Sequence, residues 1–186
     1  MALTATIYKA TLQIADMDRD YYQDHAVTMA RHPTETDERL MVRLLAFALH
    51  ADEGLSFGRG IGVEDEPALW KKDLTGRIEE WIEVGLPDER LLRQACGRAA
   101  EVWVYAYGGR SATQWWDKQQ GTLARLANLT VVNLPWEGTR ALGDLARQNM
   151  TVQCTVQEGQ VWLADGAANL RLDLSFFKTA AGARRG

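Results

Sequence analysis

Apolar and polar positions alternate along the first third of the chain. Over residues 4–15 (TATIYKATLQIA), Ile7, Ala10, Leu12 and Ile14 sit mostly among Thr, Lys and Gln, the pattern of a strand with one buried face. A polar turn at residues 16–20 follows. Residues 21–30 read as a second strand, so the N-terminal segment predicts a β-hairpin. The period then becomes helical. Thr34 predicts an N-cap, and Glu35, Asp37 and Glu38 place negative charge where the helix dipole favours it. Leu40, Leu44, Phe47 and Ala48 recur on one face, and the helix should stop near residues 50–52, ahead of Gly54. Residues 55–66 carry Gly58, Gly60 and Gly62 and read as loop or bent strand. No Lys-Ser or Lys-Thr follows them, so they do not form a phosphate cradle of the P-loop kind.

Residues 69–74 predict a short strand, paired through Thr75-Gly76 to residues 78–84. In that second strand Ile78, Glu80, Ile82 and Val84 share one face, and Glu79, Trp81 and Glu83 share the other. Pro87-Asp88 opens a helix ending near Gly97, and residues 101–107 form an apolar strand of the doubly buried kind. Ser111 is expected to cap a helix reaching about residue 126. A buried strand at 129–134, a helix at 139–147, a hairpin of 150–156 with 160–164, and a last strand at 170–176 complete the chain. Strands separated by helices imply crossovers and at least partly parallel pairing. The expected fold class is α/β (α+β): a mixed β-sheet flanked by helices, with β-hairpins at both ends, in a single domain over residues 1–186.

Charge and composition narrow the function classes. With 186 residues the chain can bury a core without staples. A net charge of −4 argues against coating nucleic acid by bulk charge and leaves room for a local basic groove. Arg90, Arg93, Arg98 and Arg110 could supply such a rim, or simply a solvated helix face. No run approaches the ~20 apolar residues of a membrane span. The first residues show no basic or apolar leader pattern, and Cys96 and Cys154 read as reduced thiols, so the expected location is cytoplasmic. His25, His32 and His50 have no metal-ligand spacing, and Ser56 and Ser111 no base partner visible in sequence. Trp115 and Trp116 are adjacent on a helix, so one of them should be partly exposed, serving core packing or base stacking.

The candidate chemistry lies at residues 73–85. Asp73 and Glu83 offer two carboxylates which, with a backbone carbonyl, suit Mg²⁺ or Mn²⁺. With a turn at Thr75-Gly76, however, Asp73 lies nearer Arg77 and Ile78, and the two acids meet only through a bend or a diagonal arrangement. Asp73 with Glu79 or Glu80 are competing pairs, and solvated carboxylates on an edge strand would look the same.

The segments LSFGRGI, DEPALWKKDLTGRIEEWIEVGLPDERLLRQACGRA and VWVYAYGGRSATQWW, with NLTVVNL and TVQEGQVWL, resemble the YaeQ family over essentially the whole chain. That resemblance implies a variant of the PD-(D/E)XK nuclease fold, whose core runs helix, three-stranded meander, helix, strand. In those nucleases an Asp near the start of the second core strand and the acid of an E-x-K triplet bind a divalent metal, while the Lys positions or activates water. Asp73 matches the first acid and Glu83 the second; Gly85 stands at the Lys position. Lys72 is a poor substitute because successive strand residues face opposite ways. Arg98 or Arg90 would hold phosphate rather than act as a base. Gln94 stands where some members carry a helical Gln, and Glu38 or Glu53 would be the acid of the first core helix. The implied function is an Mg²⁺- or Mn²⁺-dependent nuclease, with Asp73 and Glu83 on the metal and Arg98 on phosphate. The alternative, favoured by Gly85, is a non-catalytic nucleic-acid- or protein-binding regulatory module.

Overall fold

Two β-sheets enclose one buried helix. The computed structural model describes residues 4–61, 63 and 65–182. Strands β1 (Thr6–Asp16) and β2 (Tyr21–Arg31) lead into helix α1 (Asp37–His50), then β3 (Leu55–Phe57), β4 (Leu69–Lys72) and β5 (Ile78–Val84). Helix α2 (Glu89–Arg98), β6 (Ala99–Ala106), α3 (Arg110–Leu123), β7 (Leu129–Asn133) and α4 (Trp136–Gly143) follow. The chain closes with β8 (Asn149–Gln157), β9 (Gln160–Ala164), β10 (Asn169–Asp173) and β11 (Ser175–Lys178).

The class is mixed α+β, but the single expected sheet is two mixed sheets. The hairpins expected at the two ends of the chain belong together: β1 pairs in parallel with β8, giving a five-stranded sheet ordered β10-β9-β8-β1-β2. The middle of the chain builds a six-stranded sheet ordered β11-β7-β6-β5-β4-β3. There β3, β4 and β5 form an antiparallel meander, and β5, β6 and β7 run parallel, their crossovers carrying α2 and α3. The strand expected at 170–176 is split at Leu174. Residues before it finish the first sheet and residues after it pair antiparallel with β7 in the second.

Helix starts differ slightly from expectation. Thr36, not Thr34, caps α1, its side chain accepting from the Arg39 N–H at 3.1 Å. Helix α3 starts from Gly109, with no side-chain cap from Ser111. The helix expected at 139–147 lies at Trp136–Gly143.

Helix α1 is apolar on nearly every side, with residues 40–48 all buried, because it lies between the sheets. A helix without a solvated face is held by such burial on all sides. A second core lies on the far side of the six-stranded sheet. There Leu92 and Ala95 of α2 and Ala112, Trp115 and Leu123 of α3 pack on Trp81, Val102, Val104 and Val131. Trp115 is the buried member of its pair, while half-buried Trp116 stacks on Phe177 at 5.5 Å. Both cysteines are free thiols. Among the described residues no helix is long and apolar enough to cross a membrane.

Candidate functional site

The β4–β5 hairpin decides which acids meet. Leu69 pairs with Ile82 and Trp70 with Trp81, so Glu83 lies beside the entrance to β4, while Asp73 follows the strand's end. Five residues of extended chain separate Asp73 from Ala68, the residue beside Glu83, or roughly 16 Å. Asp73 and Glu83 therefore do not converge. Asp73 belongs to the turn: its Oδ1 accepts from the Thr75 N–H at 2.8 Å, the Thr75 hydroxyl at 2.6 Å and the Arg77 N–H at 3.0 Å. The Thr75 hydroxyl bond, with the two backbone N–H groups, holds its carboxyl below the ordinary value.

Glu83 occupies a different environment. It is only 8% exposed and accepts a 2.9 Å hydrogen bond from the indole N–H of Trp81, two residues back on the same face. Burial pushes its carboxyl up to about 7, against the opposing pull of the Trp81 bond, the Arg39 charge and the Ala68 N–H. It lines a cleft of about 390 Å³ with Arg39 and Arg43 of α1, Glu66 and Pro67 before β4, and Leu91 of α2. A strongly perturbed acid in a charged cleft is the pattern of a functional site.

Glu66 is the acid that the sequence reading missed. Its Oε2 accepts from the Arg59 backbone N–H at 2.8 Å and its Oε1 from the Arg59 Nε at 2.8 Å. That backbone bond, with the Arg59 guanidinium, holds its carboxyl below the ordinary value. The signal was the dipeptide Glu66-Pro67. A proline beside a strand start marks an entrance, and in an antiparallel pair the entrance of one strand faces the exit of the next.

The cations of the cleft come from α1. Glu35, 3% exposed, receives Arg43 Nε at 2.7 Å, Arg43 Nη2 at 2.8 Å and Arg39 Nη1 at 2.8 Å. One buried carboxylate thus fixes two guanidiniums one helical turn apart, and Arg39 remains partly exposed toward the cleft.

The other expected site residues lie elsewhere. Arg90, Gln94 and Arg98 form an exposed stripe on α2, and the Arg98 guanidinium lies 5.1 Å over the Trp81 ring. Lys72 stacks on Trp70 at 3.7 Å. Glu38 accepts from the Thr139 hydroxyl at 2.9 Å, and Glu53 is exposed in the loop after α1. Gly85 has φ +96°, a left-handed turn out of β5, and donates its N–H to the Tyr105 carbonyl. A lysine there would be strained. Among the described residues no three His, Cys, Asp or Glu side chains gather as metal ligands.

Fold and cleft together define a two-sheet α+β protein with an acid–guanidinium cleft at the end of its central hairpin. The chain belongs to the YaeQ family, whose model, described as "YaeQ protein", matches residues 1–174. It is 47% identical over 175 residues to the Salmonella typhi protein named "Uncharacterized protein YaeQ", covering 94% of this chain and 97% of that one. The Escherichia coli (strain K12) protein of the same name is 46% identical over the same shares. The crystal structure of YaeQ protein from Xanthomonas axonopodis pv. citri superposes with a TM-score of 0.92 at 46% identity, covering 95% of this chain and 99% of that one. The one from Pseudomonas syringae gives 0.90 at 35% identity, covering 96% and 98%.

Proposed function

We propose that the protein is a metal-dependent phosphodiesterase acting on nucleic acid in the cytoplasm, working at the Glu83 cleft of a single PD-(D/E)XK-like domain. The observation that carries this is one cleft lined by two carboxylates, Glu66 before β4 and Glu83 near the exit of β5, together with Arg39 and Arg43 of α1. Glu66 takes the place first given to Asp73.

The donor set fits Mg²⁺ or Mn²⁺. Magnesium commonly uses one or two protein carboxylates and completes its shell with water and substrate phosphate. When bound, such an ion supplies Lewis-acid polarisation of phosphate and an activated water. Glu66 and Glu83 would hold it. Arg39, oriented by Glu35, would hold a non-bridging phosphate oxygen, work that suits a permanently charged guanidinium. A cation held beside Glu83 would favour the ionised form of its carboxyl, which burial pushes up to about 7. Leu91 and Pro67 add apolar lining to the cleft.

A second reading, a non-catalytic nucleic-acid- or protein-binding module on the same fold, is favoured by Gly85. Its backbone geometry disfavours the motif lysine, and arginine is too basic to replace that lysine as a proton acceptor.

The test is cleavage of single- and double-stranded DNA and of RNA with Mn²⁺ or Mg²⁺, using the parent and the Glu66→Gln, Glu83→Gln and Asp73→Ala proteins. The enzyme reading expects cleavage that both glutamine substitutions abolish and Asp73→Ala leaves intact. No cleavage by the parent, or equal cleavage by all four, overturns it in favour of the binding module.

A further inference from the structure

A second cleft, of about 420 Å³, opens between the two sheets at the other end of α1. Its lining comes from the inward face of the six-stranded sheet. Tyr105, Val132 and Phe176 lie side by side across β6, β7 and β11, and Trp103 sits two residues along from Tyr105. Glu80 projects from the same face of β5. The mouth is framed by the β1–β2 and β8–β9 turns, which are clasped together. Asp18 accepts from the backbone N–H groups of Glu158 at 2.7 Å and Gly159 at 2.9 Å.

Two features of this cleft exceed the needs of packing. The first is an aromatic wall left open. Phe176 is 52% exposed, and half-buried Trp103 stacks on Tyr105 with planes 11° apart. The second is a buried polar relay. His50 Nε2 lies 2.6 Å from the Tyr105 hydroxyl, and its Nδ1 lies 3.4 Å from Glu80 Oε1. The neutral ring can accept from Tyr105 and donate to Glu80 at once, which orients the carboxylate without using Oε2. Glu80 keeps 22% of its side chain exposed in the cleft.

The neighbouring cations are already matched: Arg19 donates to Asp16 at 2.7 Å and Lys71 to Asp52 at 3.0 Å. What stays open is a hydrogen-bond acceptor beside aromatic faces. A flat ring that carries adjacent N–H donors on one edge fits this, and among nucleobases guanine alone presents two, at N1 and N2, on its pairing edge. Lys71 and Arg19 line the same cleft and already act on Glu80 through their charge, so a neutral donor edge suits it better than a guanidinium would.

We propose that the inter-sheet cleft binds a guanine base, stacked against Trp103 and held along its N1–H/N2–H edge by Glu80. Stacking on an aromatic wall and hydrogen bonding on the pairing edge is the way unpaired bases are read. The proposal is independent of the Glu83 cleft, since the Glu66→Gln and Glu83→Gln proteins should bind guanine like the parent.

The test is calorimetric titration of the full chain with GMP, IMP, AMP, CMP and N-acetyl-arginine amide. A single-stranded DNA hexamer containing one guanine, and its hypoxanthine counterpart, are run beside them. IMP lacks only the 2-amino donor, so GMP should bind about tenfold tighter than IMP, the size of one good base-edge contact. Glu80→Gln should erase that preference, and Trp103→Leu should weaken GMP and IMP alike. If the guanine hexamer binds more tightly than GMP, the base is taken from a strand; if only GMP binds, a free nucleotide is the source. Equal binding of GMP and IMP, no binding of either, tighter binding of the arginine amide, or a preference that survives Glu80→Gln overturns the proposal. The GMP-to-IMP ratio of the parent decides even if a variant fails to fold.

Discussion

The indole N–H of Trp81 and the carboxylate of Glu83 meet at 2.9 Å across one strand face, with both residues buried. The bond favours ionised Glu83, yet burial outweighs it and lifts the folded pKa to about 7. The unfolded chain releases this proton near 4.5. The proton is therefore bound more tightly in the fold, and its stabilising contribution is complete below about pH 4.5. That contribution is lost as pH climbs toward 7. Above pH 7 the buried charge costs roughly 3 kcal/mol. In metal-free protein, Glu83→Gln should therefore raise stability by up to that amount at pH 8. The gain should shrink to little by pH 5, as urea unfolding at matched pH values will show.

Glu35 holds the two arginines of α1. Arg43 is 2% exposed and Glu35 3%, so neither charge has water to fall back on. Replacing Glu35 with Gln leaves Arg43 as an uncompensated buried cation, which typically costs about 3–5 kcal/mol. Denaturant unfolding should show a loss of that size, and a loss below 1 kcal/mol would mean that Arg43 finds another partner.

Gly85 is expected to resist repair of the motif. A Cβ there meets no atom within 4 Å, so the penalty of Gly85→Lys is backbone strain alone. At φ +96° that is of order 1–3 kcal/mol. Thermal melting should show the loss, and the cleavage assay should show no gain in rate, because the new side chain leaves the strand at a turn.

Asp73 gathers three donors in its turn, and its depressed pKa stabilises the fold above the ordinary carboxylate range. That contribution is lost as pH falls through the folded value. Asp73→Ala should lower the melting temperature at pH 7 more than at pH 3, and should behave like the parent in the cleavage assay.

Local elements were legible wherever period and punctuation agreed. The alternation in β1 and β5, the apolar stripe of α1 and the Asp88 cap of α2 each identified its element. The pairing of β1 with β8 was not legible, because nothing in either segment names a partner more than a hundred residues away. Leu170 to Phe176 reads as one strand, since Leu174 changes sheet without a break in apolar character. Glu83 lines a cleft, and the register of β4 with β5 keeps Asp73 apart from it. The family resemblance pointed to Asp73, although hairpin spacing already set it nearer Arg77 and Asp73-Leu74-Thr75-Gly76 is also turn chemistry, with an Asp side chain free to bond the backbone two residues on. Nothing in the period of α1 set Arg39 and Arg43 apart, since only the fold brings buried Glu35 against both. His50 likewise needed Tyr105 beside it to acquire a role.

The parallel pairing of β1 with β8 also orders events during synthesis. The β1–β2 hairpin leaves the ribosome well before β8, and β2 can satisfy only one edge of β1. The other edge stays open until residues 149–157 have been made. At translation rates of about 5–20 residues per second, that wait lasts on the order of ten seconds. An unpaired strand of eleven residues with a buried-type face is a template for the wrong partner during that interval. The nascent chain thus has a vulnerability that the finished protein lacks, and crowded neighbouring ribosomes on one message would present many such edges to one another.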